Sequence, residues 1–234
     1  MRAFRALAFG ACILIAALQA SAEAPRVVRV PIWVFLEAYP ATGFDGGGAD
    51  SAPAGDERPA RLPPAEDLRS VARFVLGGMV FGWRFEYVPS DRTRRVDEVF
   101  TLEPIAEIRD DDPRFSLSGV DPDYPRVSAW ADFLMDDTTA RRSLYWKSVQ
   151  FRSADGRGYG ALERDSAGIR DAYADAVRVA VRSYARKLEK NKPKEIRGEV
   201  LLRENPRLFT DEGRFVADIT VLVNIQEIVP YALY

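Results

Sequence analysis

Histidine is absent from the 234 residues, and cysteine occurs once, at position 12. The lack of histidine excludes Ser-His-Asp and Cys-His hydrolysis, histidine-ligated zinc or haem, and acid–base catalysis by imidazole. If export removes the segment that contains Cys12, the remaining chain also has no thiol for a disulfide, a nucleophile or a metal ligand.

Long apolar runs are confined to the N-terminus. Arg2 and Arg5 precede an almost wholly apolar stretch at residues 7–18, and Ala20 and Ala22 place small residues at positions −3 and −1 of a cleavage site. This order predicts a secretory signal peptide over residues 1–22, because the apolar run is too short to span a bilayer comfortably. A membrane anchor and lipidation at Cys12 are minor alternatives. We therefore expect an exported protein of the periplasm or cell envelope.

The charge is nearly balanced. Two of the 33 basic residues and none of the 35 acidic residues lie in the first 22 positions, so the remainder carries a net charge of −4. Such mild acidity argues against a general nucleic-acid-binding protein.

In the first half of the chain, alternating apolar residues predict strands at 26–37, 79–88 and 96–108, the last two as a hairpin. The first strand is apolar on both faces in its second half, which favours a central position in a sheet. Helical spacing predicts a helix at 65–76 that ends at Gly77 and Gly78. Residues 41–64 are rich in glycine and proline, so we predict one mobile loop there.

In the second half, proline and aspartate predict a loop at 109–125, and strands are predicted at 127–135 and 144–152. The glycines of residues 155–160 favour a turn. A stripe of apolar residues at intervals of three or four predicts a helix at 166–190, followed by strands at 196–202 and 214–226.

Together these elements predict one α+β domain over residues 23–234. Each half reads as strand, helix and hairpin, so we expect small antiparallel sheets, each packed by a helix, in two units of that form.

Acidic residues give the best candidate for a metal site, at Asp110, Asp112, Asp121 and Asp123. Calcium takes several oxygen ligands from a flexible loop, although the spacing differs from that of the twelve-residue calcium loop. A solvated loop is the alternative. Asp132, Asp136 and Asp137 suit a carboxylate pair for hydrolysis, or else a turn or helix cap beside Thr138.

Two further groups are candidate binding residues. Phe81, Trp83, Phe85 and Tyr87 alternate along a strand and could line a groove for lipid or peptide, or else form the core. Arg186, Lys187 and Lys190 could bind anionic headgroups, or else complement the dipole at the end of a helix.

No cofactor motif is present, and no partner can be named beyond an envelope protein or lipid. The leading hypothesis is a non-catalytic binding or assembly module, with strand addition at a sheet edge as one mode of contact. The alternative is a carboxylate-based or calcium-dependent hydrolase that uses the aspartates between positions 110 and 137. A lipid carrier with the aromatic strand lining a cavity is a third hypothesis.

Overall fold

Antiparallel strands and the helices that pack on them make up the part of the chain that the computed structural model describes, residues 26–37, 63–148, 150–189 and 191–231. The predicted α+β class is therefore confirmed. The predicted signal peptide and almost all of the predicted mobile loop at 41–64 lie outside the described residues. The elements are β1 (Val27–Phe35), α1 (Pro64–Val80), β2 (Trp83–Val88), β3 (Val99–Pro104), β4 (Phe115–Asp123), β5 (Arg126–Leu134), α2 (Asp137–Trp146), β6 (Arg152–Ala161), a 3-10 turn (Leu162–Arg164), α3 (Asp165–Leu188), β7 (Glu195–Leu202), β8 (Arg207–Asp211) and β9 (Arg214–Val229).

A small sheet of three strands has the order β1-β5-β4. Its central strand is β5, which pairs Val30 of β1 with Ala131 and Phe115 of β4 with Phe133. The predicted central position of the first strand is therefore wrong. Its second half is apolar on both faces because Ile32 and Val34 are buried in the core, while Trp33 and Phe35 contact the ring of Phe215 from the larger sheet.

The larger sheet has the order β3-β2-β7-β9-β6, and β8 pairs with β9 beyond the end of β7. The predicted hairpin of β2 and β3 is confirmed, with Trp83 opposite Pro104 and Val88 opposite Val99. The 16-residue β9 holds the sheet together, because it pairs with β6, β7 and β8.

Helices α1 and α3 join the two sheets through one hydrophobic core. α1 packs on β1 and β5 of the small sheet and also contacts β7 and α3, whereas α3 lies along β6 and β9. Apolar residues from both helices and both sheets are buried together; examples are Val75, Phe133, Val177 and Val221.

The first helix extends past the glycines at which we predicted its end. Gly78 lies inside α1, where the ring of Trp83 occupies the space that a larger residue's side chain would need, with the indole Cη2 2.3 Å from an ideal Cβ. The end comes at Gly82, which has φ +81° and whose amide donates to Gly77 O at 2.9 Å. A glycine with positive φ is a common C-terminal cap. As a result β2 begins at Trp83, and the first residues of the predicted strand belong to the helix.

Three predicted elements of the middle region are wrong. The predicted loop at 109–125 contains β4, and the predicted strand at 144–152 contains the end of α2, which begins after the capping residue Asp136. The predicted turn at 155–160 is the centre of β6. In β6 the glycines alternate on one face and allow the backbone of α3 to lie directly on the strand.

Candidate binding surfaces

The four aspartates predicted to bind metal do not converge. Asp110 pairs with Arg73 at 3.0 Å and Asp112 with Arg114 at 2.7 Å. Asp121 and Asp123 lie on β4, opposite Ser128 and Arg126 of β5. Within the described ranges no cluster of three or more carboxylate, cysteine or histidine ligands is close enough to hold a metal ion.

The other aspartates of this region have structural partners. Asp132 accepts two hydrogen bonds from Arg29, at 2.6 and 2.9 Å, and Asp136 caps α2 by accepting from the amides of Thr138 and Thr139. The hydrogen bonds from Arg29 hold the pKa of Asp132 below its usual range, against partial burial, which raises it. These contacts match the helix-cap alternative for Asp136.

The aromatic residues of β2 are placed in the core. Trp83, Phe85 and Tyr87 are all at least 96% buried, and Phe85 stacks on Phe100 with ring centroids 6.3 Å apart. Phe81, which precedes β2, packs edge to face on Phe133 at 5.8 Å. This stripe packs against its neighbours, and Tyr87 also lines a surface cleft at the C-terminal end of α3.

The predicted basic residues at the end of α3 separate. Arg186 lines that same cleft, together with Arg182 and Lys192, whereas Lys187 does not. Lys190 lies outside the described residues. Two of the predicted groups, the aromatic strand and the basic helix end, therefore meet in one cleft through Tyr87 and Arg186.

A surface that the sequence analysis missed is the outer face of the small sheet. Strand pairing places Val27 beside Leu134, Arg29 beside Asp132, and Pro31 beside Trp130. Trp130 is 45% exposed and Leu134 50%. We call this surface the small-sheet face, and define it by Val27, Arg29, Pro31, Ser118, Trp130, Asp132 and Leu134.

Polar contacts hold the small-sheet face in shape. Besides its two hydrogen bonds to Asp132, the guanidinium of Arg29 lies 5.9 Å from the ring centroid of Trp130. Ser118 of β4 donates to the same carboxylate of Asp132 at 3.1 Å. All three strands are therefore cross-linked by side chains on this face, which orients the exposed indole.

The outer edge of β4 borders the small-sheet face. Among the described strands none pairs with that edge, and β4 keeps regular register with β5 from Phe115 to Ser118. A bulge between Ser118 and Asp121 then interrupts the register, and Pro122 follows. Bulges and proline restrict further pairing, so only the first half of the edge has the regular geometry that strand addition needs.

The alternation in the predicted strand at 127–135 contained a signal for this surface. Val127, Ala129, Ala131 and Phe133 form the buried face, and Trp130 and Leu134 lie on the other face as large apolar residues that remain about half exposed. A strand with apolar residues on both faces is expected to have both faces covered by other parts of a protein. The described fold covers one face of β5.

Comparison with known proteins identifies a family and a relative of this chain but does not indicate an activity. A family model matches residues 15–231. An uncharacterized protein of Treponema pallidum (strain Nichols) is 38% identical over 207 residues, which cover 88% of this chain and 83% of the relative. No solved structure matches the chain.

Proposed function

The chain belongs to the family whose model spans residues 15–231, and we propose that it is an exported, non-catalytic binding module that attaches to a partner protein through the small-sheet face. The observation that carries the proposal is the exposed row of Trp130, Leu134 and Val27 on a sheet whose opposite face is buried in the core.

The composition of the small-sheet face is that of a protein contact. Tryptophan and arginine are enriched among the residues that dominate binding energy, and here Arg29 lies against Trp130. Arg29 is already neutralised by Asp132, so covering this face with a partner would not bury an unpaired charge.

The neighbouring edge of β4 supports one geometry of attachment. A partner strand can continue the sheet along Phe115–Ser118, where the register is regular, and its side chains would then extend the surface formed by Trp130. Main-chain hydrogen bonds would give affinity, and the indole would give specificity.

Export is supported by the sequence of residues 1–22. None of the helices in the described ranges combines the length and apolar character needed to cross a membrane. The alternative of a carboxylate-based or calcium-dependent hydrolase required the aspartates between 110 and 137 to converge. They are instead paired with arginines, cap α2 or lie along β4, so no observation favours that function.

A photo-crosslinking side chain at position 134 tests the proposal directly. The full chain, carrying the photoreactive residue in place of Leu134, is expressed in a bacterial host that carries the native envelope proteins, and cells are irradiated before fractionation. We expect one discrete adduct in the envelope fraction. We also expect the recovered protein to begin at Glu23, because cleavage after Ala22 fits the small-residue rule.

Leu144 provides a matched control, because it is 52% exposed against 50% for Leu134 but lies on α2 rather than on the small sheet. The photoreactive residue at position 144 should give no such adduct, and Trp130→Ala should weaken the adduct formed at position 134. Equal crosslinking from both positions would contradict a specific interface. Recovery of the chain only from the cytoplasm with residues 1–22 intact would contradict export.

A further inference from the structure

The cleft at the C-terminal end of α3 is a site of a different kind from the small-sheet face. It has a volume of about 200 Å³ and lies between the end of α3, the end of β2 and the start of β7. Its lining includes Tyr87, Pro89, Arg182, Arg186, Lys192 and Ile196.

Three cations line the cleft, and two of them are held in place. Lys192 Nζ donates to Ser90 O at 2.8 Å, and Arg182 Nη1 lies 3.4 Å from a carboxylate oxygen of Glu98. Arg186 is exposed, and within the described part of the chain it has no ion-pair partner. One carboxylate, Glu189, also lines the cleft, so the lining keeps a net positive charge.

The apolar residues of the lining are nearly fully buried, except Pro89, which is half-buried. The hydroxyl of Tyr87 is engaged, because it donates to Glu98 at 2.8 Å, and Tyr87 lines the cleft together with Pro193 and Ile196. Glu98 is also bound by Arg178 at 2.6 Å. Its charge is thus shared between two arginines and a phenol, which leaves Arg186 as the cation most available to a ligand.

We propose that this cleft binds a phosphate group attached to a small apolar moiety, with Arg186, Arg182 and Lys192 contacting the anion and the half-buried Pro89, which also lines the cleft, contacting the apolar part. Arginine suits phosphate because its guanidinium can donate two parallel hydrogen bonds. The volume is below the roughly 300–1,000 Å³ of sites for drug-sized ligands. The cleft therefore accommodates a phosphate-bearing head rather than a whole lipid, and that head belongs either to a membrane lipid or to a free phosphate compound.

The end of the helix supplies a competing explanation for the cations, since lysine and arginine in the last turn stabilise a helix without any ligand. Arg186 and Lys187 separate the two explanations. Both lie in the last turn of α3 and both are exposed, but of the two only Arg186 lines the cleft. Arg186→Glu and Lys187→Glu therefore change the charge of the helix end by the same amount, but only Arg186→Glu changes the charge of the cleft lining.

The test uses two probes on the purified full chain, with thermal unfolding of each variant as a check of folding. Inorganic phosphate is titrated by calorimetry, and sedimentation is measured with vesicles of equal parts phosphatidylglycerol and phosphatidylcholine. We expect Arg186→Glu to weaken binding about tenfold or more, as for loss of a charge-assisted hydrogen bond. Lys192→Gln should weaken it in the same direction, and Lys187→Glu should leave it within about twofold.

The two probes identify the source of the phosphate. Binding of inorganic phosphate that Arg186→Glu removes supports a free phosphate compound, and binding of vesicles alone supports a lipid headgroup. Equal losses in Arg186→Glu and Lys187→Glu would overturn the proposal in favour of general charge attraction. Absence of binding to both probes would overturn it as well, and neither result would affect the crosslinking test of the small-sheet face.

Discussion

At the scale of residues, glycines allow the backbones of strand β6 and helix α3 to lie against each other. Gly156, Gly158 and Gly160 lie on the face of β6 that meets α3, and Gly168 of α3 lies against Gly160 and Ala161. An ideal Cβ on Gly158 would lie 2.0 Å from Ala176 N. The backbones of the strand and the helix are therefore in direct contact, which no other residue type would permit.

Gly158→Ala should destabilise the protein by about 3 kcal/mol, the upper end of the cost of inserting a methyl group into a well-packed core. The backbone of α3 cannot yield as a flexible side chain can, so the helix must move away from β6. The measurement is the free energy of unfolding by urea, taken from the transition midpoint and slope.

Gly77→Ala is the matched control with the opposite expected sign. The nearest atom to its ideal Cβ is 3.9 Å away, an ordinary contact, and Gly77 lies within α1. Alanine should therefore stabilise the helix by about 0.5–1 kcal/mol. A loss of stability at position 77 that matched the loss at 158 would contradict the packing argument.

The same residues show why a turn was predicted at 155–160. Glycine is the commonest residue of turns, and a single glycine carries no information about which side of it is crowded. The spacing of two between Gly156, Gly158 and Gly160 was the available signal, because residues two apart share one face of a strand. Recognising it required the neighbouring helix, whose small residues Ala172 and Ala176 complete the contact.

At the scale of elements, α2 is the clearest departure from the predicted structure. It is a short polar helix that ends on Trp146, and this side chain packs with Phe151, Leu201 and Leu222 in a second hydrophobic cluster. The apolar residues of 144–152 resemble the pattern of a strand. In the structure they belong partly to the end of α2 and partly to the segment that follows it. Local alternation does not reveal that change of element.

Asp136→Ala should destabilise the protein by about 1 kcal/mol through loss of the N-cap of α2. The Oδ1 atom of Asp136 accepts from Thr138 N at 3.1 Å and from Thr139 N at 2.8 Å, and Oδ2 pairs with Arg114. Asp137→Ala also removes one carboxylate from the start of α2, but Asp137 does not cap the helix. This substitution should therefore cost less than about 0.5 kcal/mol. Equal losses in urea unfolding would indicate that charge, rather than capping, matters at this helix start.

At the scale of the whole molecule, the sequence predicted the α+β class and the β2–β3 hairpin. It predicted two strand-helix-hairpin units, whereas the strands divide into the sheets β1-β5-β4 and β3-β2-β7-β9-β6, and β1 lies outside the sheet of that hairpin. The deciding pairs are far apart in the chain, for example Val27 with Leu134 and Tyr87 with Ile196. Pairing at such separations depends on tertiary packing and has no local signature.

The two candidate sites differ in the same way in how far the sequence could predict them. Arg186 was predicted from helix periodicity and charge, whereas the small-sheet face exists only because β5 joins β1 and β4.

Acid should destabilise the protein as a whole. The pKa values of Asp91, Asp112, Asp132, Asp136 and Asp218 are all lowered, by hydrogen bonds from an arginine in four cases and chiefly from the backbone amide of Thr139 for Asp136. Because these pKa values are lower in the folded chain, the unfolded chain binds more protons in acid. Their stabilising contribution is therefore complete above about pH 4 and is lost as the pH falls through the folded values.

The free energy of unfolding should consequently stay nearly constant between about pH 5 and pH 8, where a chain without histidine has few groups to titrate, and should fall steeply below about pH 4. Urea titrations across this range measure both parts of the curve. Asp132→Asn removes one of the lowered carboxyls and should make the acid limb shallower, although the variant begins from a lower stability at neutral pH. A steep change between pH 5 and pH 8, or an unchanged acid limb in Asp132→Asn, would show that other groups control the acid stability of the fold.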